Sequence, residues 1–255
     1  MQIRPAAAVR FALLAGLIGL YASPSQAVPS MSLLIYENGG LVGALNEVGL
    51  NCSDVGGGVT HCEIASATYG DLFIGDQNNP SNPGLGITFT EDPELDTAFG
   101  VKNTSGATQQ FTLIFTVSVA SIPGSSLTGG STSFDFGDNT GDGVTLAAPP
   151  GSALYTAQID GVDYQQLFPF PASGSNPNPF DGGTMGSADF GTPIPSQAGP
   201  AVVSTIGIKY DFTLTGGDDA SSSSGKFTVK PVPEPTTALL IGLGLVGLGV
   251  TGRRR

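Results

Sequence analysis

Gln110-Phe111-Thr112-Leu113-Ile114-Phe115-Thr116-Val117-Ser118-Val119 is the stretch that decides the fold. Phe111, Leu113, Phe115, Val117 and Val119 recur at every second position, with Thr112, Thr116 and Ser118 between them. Successive side chains of an extended chain point to opposite faces, so this spacing predicts a strand with one apolar and one polar face. A helix would scatter the same residues around its axis. Half-buried strands of this kind belong to antiparallel sheets. Ile114 breaks the pattern on the polar face and is expected to meet a second layer or a loop.

Working outward, Ala201 to Thr215 repeats the pattern, with Ile206, Ile208, Tyr210, Phe212 and Leu214 alternating. Strand-like runs also cover Met31 to Glu37, Glu63 to Tyr69, Asp71 to Ile74, Gly86 to Thr90 and Ala98 to Lys102. Further runs are Ser131 to Phe136, Gly143 to Ala147, Ala153 to Asp160, Tyr164 to Phe168 and Lys226 to Lys230. Turn signals separate them, among them Asn38-Gly39-Gly40, Gln77 to Gly84 and Asn103-Thr104-Ser105-Gly106. An acidic loop is expected between the 86–90 and 98–102 runs. The four-serine run after Ala220 reads as a lead-in to the last strand, and the proline-rich span Pro169 to Pro200 as a long irregular excursion. No crossover helix is visible. The fold class is therefore all-β, an antiparallel β-sandwich of jelly-roll or Ig-like type, rather than a parallel α/β sheet.

Both ends differ from this body. Arg4 and Arg10 precede the apolar run Phe11 to Tyr21, and Ser25-Gln26-Ala27 offers the small residues of a cleavage site, so residues 1–27 read as a secretory signal peptide. Residues 28–231 then form the secreted β-sandwich domain. At the other end, Pro233-Glu234-Pro235 is followed by the uncharged segment Thr236 to Gly252 and by Arg253, Arg254 and Arg255. The uncharged segment would span roughly 26 Å as a helix, the short end of a single transmembrane span. Three terminal arginines would stay on the cytoplasmic side and leave the body outside.

Setting aside Arg4, Arg10, Glu234 and the three terminal arginines leaves 20 acidic against four basic residues, a balance of −16. Such a field repels nucleic acid and favours solubility, so no nucleic-acid partner is expected. Cys52 and Cys62 are the only two cysteines. In an exported chain they are expected to form a disulfide closing the Gly56-Gly57-Gly58 loop. A metal set of Cys52, His61 and Cys62 would lack the fourth ligand of a closed zinc site.

The order of motif, span and basic cluster in residues 232–255 resembles the PEP-CTERM sorting signal of Gram-negative bacteria. The resemblance implies that Pro233, Glu234 and Pro235 form a processing motif read by an exosortase, a membrane protease/transpeptidase. It also implies a protein anchored transiently in the inner membrane and then delivered to the cell surface or extracellular matrix. Bearers of such tails are often linked with exopolysaccharide and biofilm matrix.

The body offers little catalytic inventory. His61 is the only histidine, so a Ser-His-Asp arrangement has no other base to use. Glu91, Asp92, Glu94 and Asp96, with the scattered Asp135, Asp138, Asp142, Asp160 and Asp163, could supply a glycosidase-like acid pair, but no spacing selects one. Asp138-Asn139-Thr140-Gly141-Asp142-Gly143 departs from an EF-hand loop, with Thr140 at the third position and Pro149 where Glu is required. An Asn/Asp/Gly turn is the default, and a calcium site built from neighbouring loops stays open. No metal, cofactor or catalytic residue is assigned. The expected role is a non-enzymatic structural or interaction protein, with a polysaccharide-active hydrolase or a calcium-dependent carbohydrate-binding module as alternatives.

Overall fold

The structure is a computed structural model that describes residues 30–75 and 84–232. The signal peptide, most of the Gln77 to Gly84 loop, and the Pro233-Glu234-Pro235 and Arg253–Arg255 tail lie outside the described residues. Eighteen strands and no helix make up the rest. In chain order the first six are β1 (Met31–Glu37), β2 (Gly40–Asn46), β3 (Cys52–Gly56), β4 (Val59–Ile64), β5 (Ala67–Tyr69) and β6 (Leu72–Ile74). Then come β7 (Leu85–Thr90), β8 (Glu94–Asn103), β9 (Gln109–Ser118), β10 (Ser126–Gly137), β11 (Val144–Ala147) and β12 (Ala153–Ile159). The last six are β13 (Val162–Pro169), β14 (Ser173–Asn176), β15 (Gly182–Phe190), β16 (Gln197–Gly199), β17 (Thr205–Leu214) and β18 (Asp219–Pro231).

These strands form two antiparallel sheets, one of eight strands ordered β13-β12-β17-β9-β1-β2 and one of ten ordered β15-β10-β18-β8-β7-β4-β3, with short strands added off each path. The deciding stretch, now β9, lies in the middle of the smaller sheet between β1 and β17. Its Phe111, Leu113, Phe115 and Val117 are all buried, as the alternation requires. Ile114 sits on the outer face between Leu34 and Lys209 of the neighbouring strands, so its company is its own sheet.

The core lies between the sheets and centres on Tyr210 of β17. Its ring packs edge-on against Phe99 at 4.8 Å, Phe115 at 5.8 Å, Phe134 at 5.9 Å and Tyr155 at 5.8 Å. Aromatic rings favour such edge-to-face contacts because the positive ring edge meets the negative face. The buried hydroxyls are satisfied: Tyr210 Oη lies 2.6 Å from Thr97 Oγ1, and Tyr155 donates to the Lys226 carbonyl at 2.8 Å. Burial raises the pKa of both phenols, so each stays neutral. Gly225 of β18 makes room for this cluster, since a Cβ there would collide with Tyr210 Oη.

Several details differ from the reading of the sequence: β2 and β3 occupy stretches not read as strands, and the expected Glu63 to Tyr69 run is divided between β4 and β5. The serines after Ala220 are not a lead-in but part of β18, which pairs with β10 and β8 along its length. Buried Ser221 and Ser223 donate to the carbonyls of Asp135 and Ser133, so hydroxyls take the place of apolar side chains there. Glu94, Leu95 and Asp96 belong to β8 rather than to an acidic loop, because Leu95 is buried and Lys226 lies directly opposite Asp96. β10 begins at Ser126 instead of Ser131, its early Thr128 buried against β16. The Pro169 to Pro200 span carries β14, β15 and β16. β15 leans on β10 as an edge strand and leaves most of its small side chains to solvent, so it needs no apolar alternation.

Candidate functional site

Two places on the body bring polar chemistry together. The first is a shallow groove of about 520 Å³ over the outer face of the larger sheet. It exists because β7, β8, β10 and β18 place Gly86, Ala98, Ser131, Ser133 and Ser224 on that face, where small side chains leave a trough. His61 and Lys226 also line it, and Asp96 is the one carboxylate in its lining among the described residues. Burial raises the Asp96 pKa, opposed by the charge of Lys226 and reinforced by that of Glu94. Glu94 is tied to Lys226 Nζ at 2.5 Å and takes the Thr228 hydroxyl at 3.0 Å. His61 is 3.0 Å from Thr88 Oγ1 and 3.2 Å from Glu63.

The second place lies at one end of the sandwich, where the loop from β10 to β11 meets the turn from β17 to β18. Carboxylate oxygens of Asp138, Asp142 and Asp219 all lie within 4.8 Å of one another. Strand register brings them together: Gly137 pairs with Ala220, so the residue after β10 stands beside the first residue of β18. Asp138 Oδ1 accepts the N–H groups of Thr140 and Gly141, and its Oδ2 those of Gly143 and Phe180. Burial alone would raise this carboxyl, but the four N–H bonds outweigh it and hold the pKa at about 2. Asp219 is the opposite case. Its Oδ2 takes the Thr215 hydroxyl, while Oδ1 is buried without a partner. Burial pushes its pKa up to about 6 and the charges of Asp138 and Asp142 add to it, while the Thr215 hydroxyl and the nearby Asn139 N–H oppose the rise.

Two other carboxylates that the sequence offered, Asp160 and Asp163, are spent on structure. Asp160, in the turn between β12 and β13, accepts the N–H groups of Val203, Ser204 and Thr205. Asp163 is paired with Lys209 and takes the Gln158 amide at 2.7 Å. Asp135 faces solvent on β10. The structure thus joins Asp138 and Asp142 in one loop, as the spacing indicates, and adds Asp219, which no spacing singles out.

Cys52 and Cys62 are bonded, and they face each other across the β3–β4 hairpin whose turn carries Gly56, Gly57 and Gly58, all at positive φ. His61 on β4 has Ser53 as its cross-strand partner and the hydrogen bonds given above, so it stands apart from a Cys-His-Cys set.

The last described strand, β18, ends at Pro231, which pairs with Ser126. An all-β sandwich whose final strand leads straight into a C-terminal tail is thus the class of protein in hand. Residues 231–255 match the PEP-CTERM protein-sorting motif, so the chain carries a PEP-CTERM sorting signal, which implies export, transient membrane anchoring and processing by an exosortase. No curated protein matches the chain in sequence. Among solved structures it is similar to a GH31 alpha-xylosidase from Xanthomonas citri, at 10% identity and a TM-score of 0.23, over 78% of this chain and 18% of the xylosidase. It is also similar to the infectious bursal virus-derived T=1 particle protein, at 10% identity and a TM-score of 0.12, over 82% of this chain and 64% of the other. Likenesses this slight carry no argument about fold or activity.

Proposed function

We propose that the chain is a non-catalytic structural or interaction component of the cell surface or extracellular matrix of a Gram-negative bacterium, associated with exopolysaccharide or biofilm. The sorting motif at 231–255 carries this reading. Its position in the sequence supports it too, because the processing residues Pro233, Glu234 and Pro235 follow β18, which ends at Pro231, after a single residue. The groove supports a binding surface over a hydrolase. Glycoside hydrolysis generally uses two carboxyl groups flanking the scissile bond, whereas this lining holds Asp96 alone among the described residues. Serine and threonine hydroxyls on a broad sheet face are chemistry for contacting sugars, and they fit a matrix component.

The test is delivery. Deleting residues 232–255 is expected to abolish processing and surface delivery while the sandwich still folds, and mass spectrometry of the mature wild-type C-terminus is expected to find a cut at Pro233–Pro235. Normal surface delivery of the truncated chain would overturn the sorting assignment. Degradation of the host's own exopolysaccharide by the purified protein, lost in Asp96→Asn, would overturn the non-catalytic one.

A further inference from the structure

We infer that the end of the sandwich where the β10–β11 loop meets the β17–β18 turn binds a divalent cation, calcium by its chemistry, between Asp219 and Asp142 with Asp138 behind them. Calcium sits 2.3–2.6 Å from its oxygen ligands, so oxygens on one ion are at most about 5 Å apart. The three carboxylates meet that limit, with ligand oxygens within 4.8 Å of one another.

An acidic cluster alone would not make a site. The independent observation is Asp219 Oδ1: the residue is 0% exposed, and this oxygen has no hydrogen-bond partner. Buried polar atoms are almost always paired, and an unpaired oxygen on a buried carboxylate grouped with two further carboxylates is the arrangement a cation completes. Asp142 supplies a second oxygen. Its Oδ1 takes the Thr140 hydroxyl at 2.6 Å, and the residue is exposed, which opens the site to solvent. Each Asp138 oxygen already takes two N–H bonds, so its part is chiefly a fixed negative charge of set orientation.

The turn above the cluster is shaped to leave the space free. Gly217 has φ +82°, and a Cβ there would come 2.9 Å from Thr140 Oγ1 and 3.5 Å from Asp142 Oδ2. Glycine therefore serves both the left-handed backbone and the clearance over the carboxylates. The ligand set is all oxygen, which selects hard cations over zinc or copper. Between the hard cations, magnesium demands near-ideal octahedral geometry, while calcium accepts irregular sets of six to eight oxygens completed by water. A site with one buried and one open carboxylate suits calcium. Bound there, the ion would fasten the β10–β11 loop to the start of β18.

Full-length protein purified in calcium-free detergent and titrated calorimetrically with CaCl₂ to about 10 mM tests this, since extracellular calcium modules bind at roughly 10⁻⁴ to 10⁻³ M. The expected result is one Ca²⁺ per chain, weakened at least about tenfold by Asp219→Asn and by Asp142→Asn. Asp92→Asn, in an exposed turn remote from the loop, is expected to leave it unchanged. Asp142 is exposed, so its variant keeps the test valid if Asp219→Asn folds poorly. Absence of Ca²⁺ binding, or binding indifferent to both variants, would overturn the site. Mg²⁺ binding as tight as Ca²⁺ would overturn the choice of ion.

Discussion

β17 and β18 run from the aromatic centre of the sandwich to its acidic end, and the two places treat buried polar atoms in opposite ways. At the centre, Tyr210 and Tyr155 each bring a hydroxyl into the core, and each hydroxyl has a protein partner. At the end, Asp219 is equally buried, yet one of its oxygens has none. The two tyrosine hydroxyls at the centre are satisfied by protein atoms alone. The end is complete only with something added, and this contrast separates what holds the fold from what the fold presents.

The contrast is broken most severely at the centre. Tyr210→Ala removes the ring that four other aromatics surround. Emptying such a site costs about 3–5 kcal/mol, which urea unfolding should report at neutral pH with or without calcium. The Cys52–Cys62 bridge, in the β3–β4 hairpin, gives a covalent yardstick. Replacing both cysteines by serine frees a loop with a sequence separation of 10. Chain entropy sets that loss at about 2.8 kcal/mol, readable as a lower urea midpoint. Tyr210→Phe sharpens the comparison more gently. It deletes one hydroxyl and keeps the ring, and Thr97 retains the Gly225 carbonyl at 3.2 Å, so a loss of about 1 kcal/mol is expected.

The acidic end should show itself through pH. A carboxyl whose pKa is raised in the fold, as Asp219 is to about 6, stabilises the protein fully only below the unfolded value. That contribution is lost as pH rises through about 6, and Asp96, also raised, acts in the same direction. Asp138 has the opposite sign, its contribution being lost only as pH falls towards about 2. In chelator, melting temperature is therefore expected to decline from about pH 4 to pH 7, and saturating Ca²⁺ is expected to flatten the decline. An unchanged slope in Ca²⁺ would make the two ends alike.

The centre was far easier to read in the sequence than the end. Phe111 to Val117 and Ile206 to Leu214 alternate because one face of each strand is buried, and burial writes itself into residue type. Where a strand buries hydroxyls or lies at an edge, that signal fades: Ser221 and Ser223 look like a linker, and Gly182–Phe190 like a loop. The acidic end depends on register. Asp138 and Asp142 are near neighbours in the chain, but Asp219 joins them only because Gly137 pairs with Ala220, which no local pattern encodes. The tail is the reverse case. Pro233-Glu234-Pro235, the apolar run and the arginines are an address read as sequence, and they are legible without any fold.

Thermal melting of Asp219→Asn beside the wild type, at pH 7 in chelator and in saturating Ca²⁺, tests the contrast between centre and end most directly. Asparagine keeps an oxygen for the Thr215 hydroxyl and turns an N–H group towards Asp138 and Asp142, so it relieves the unpaired buried charge. The variant is expected to melt higher than the wild type in chelator and to gain nothing from Ca²⁺, while the wild type gains clearly. A variant that melts lower in chelator and still rises with Ca²⁺ as the wild type does would contradict that contrast.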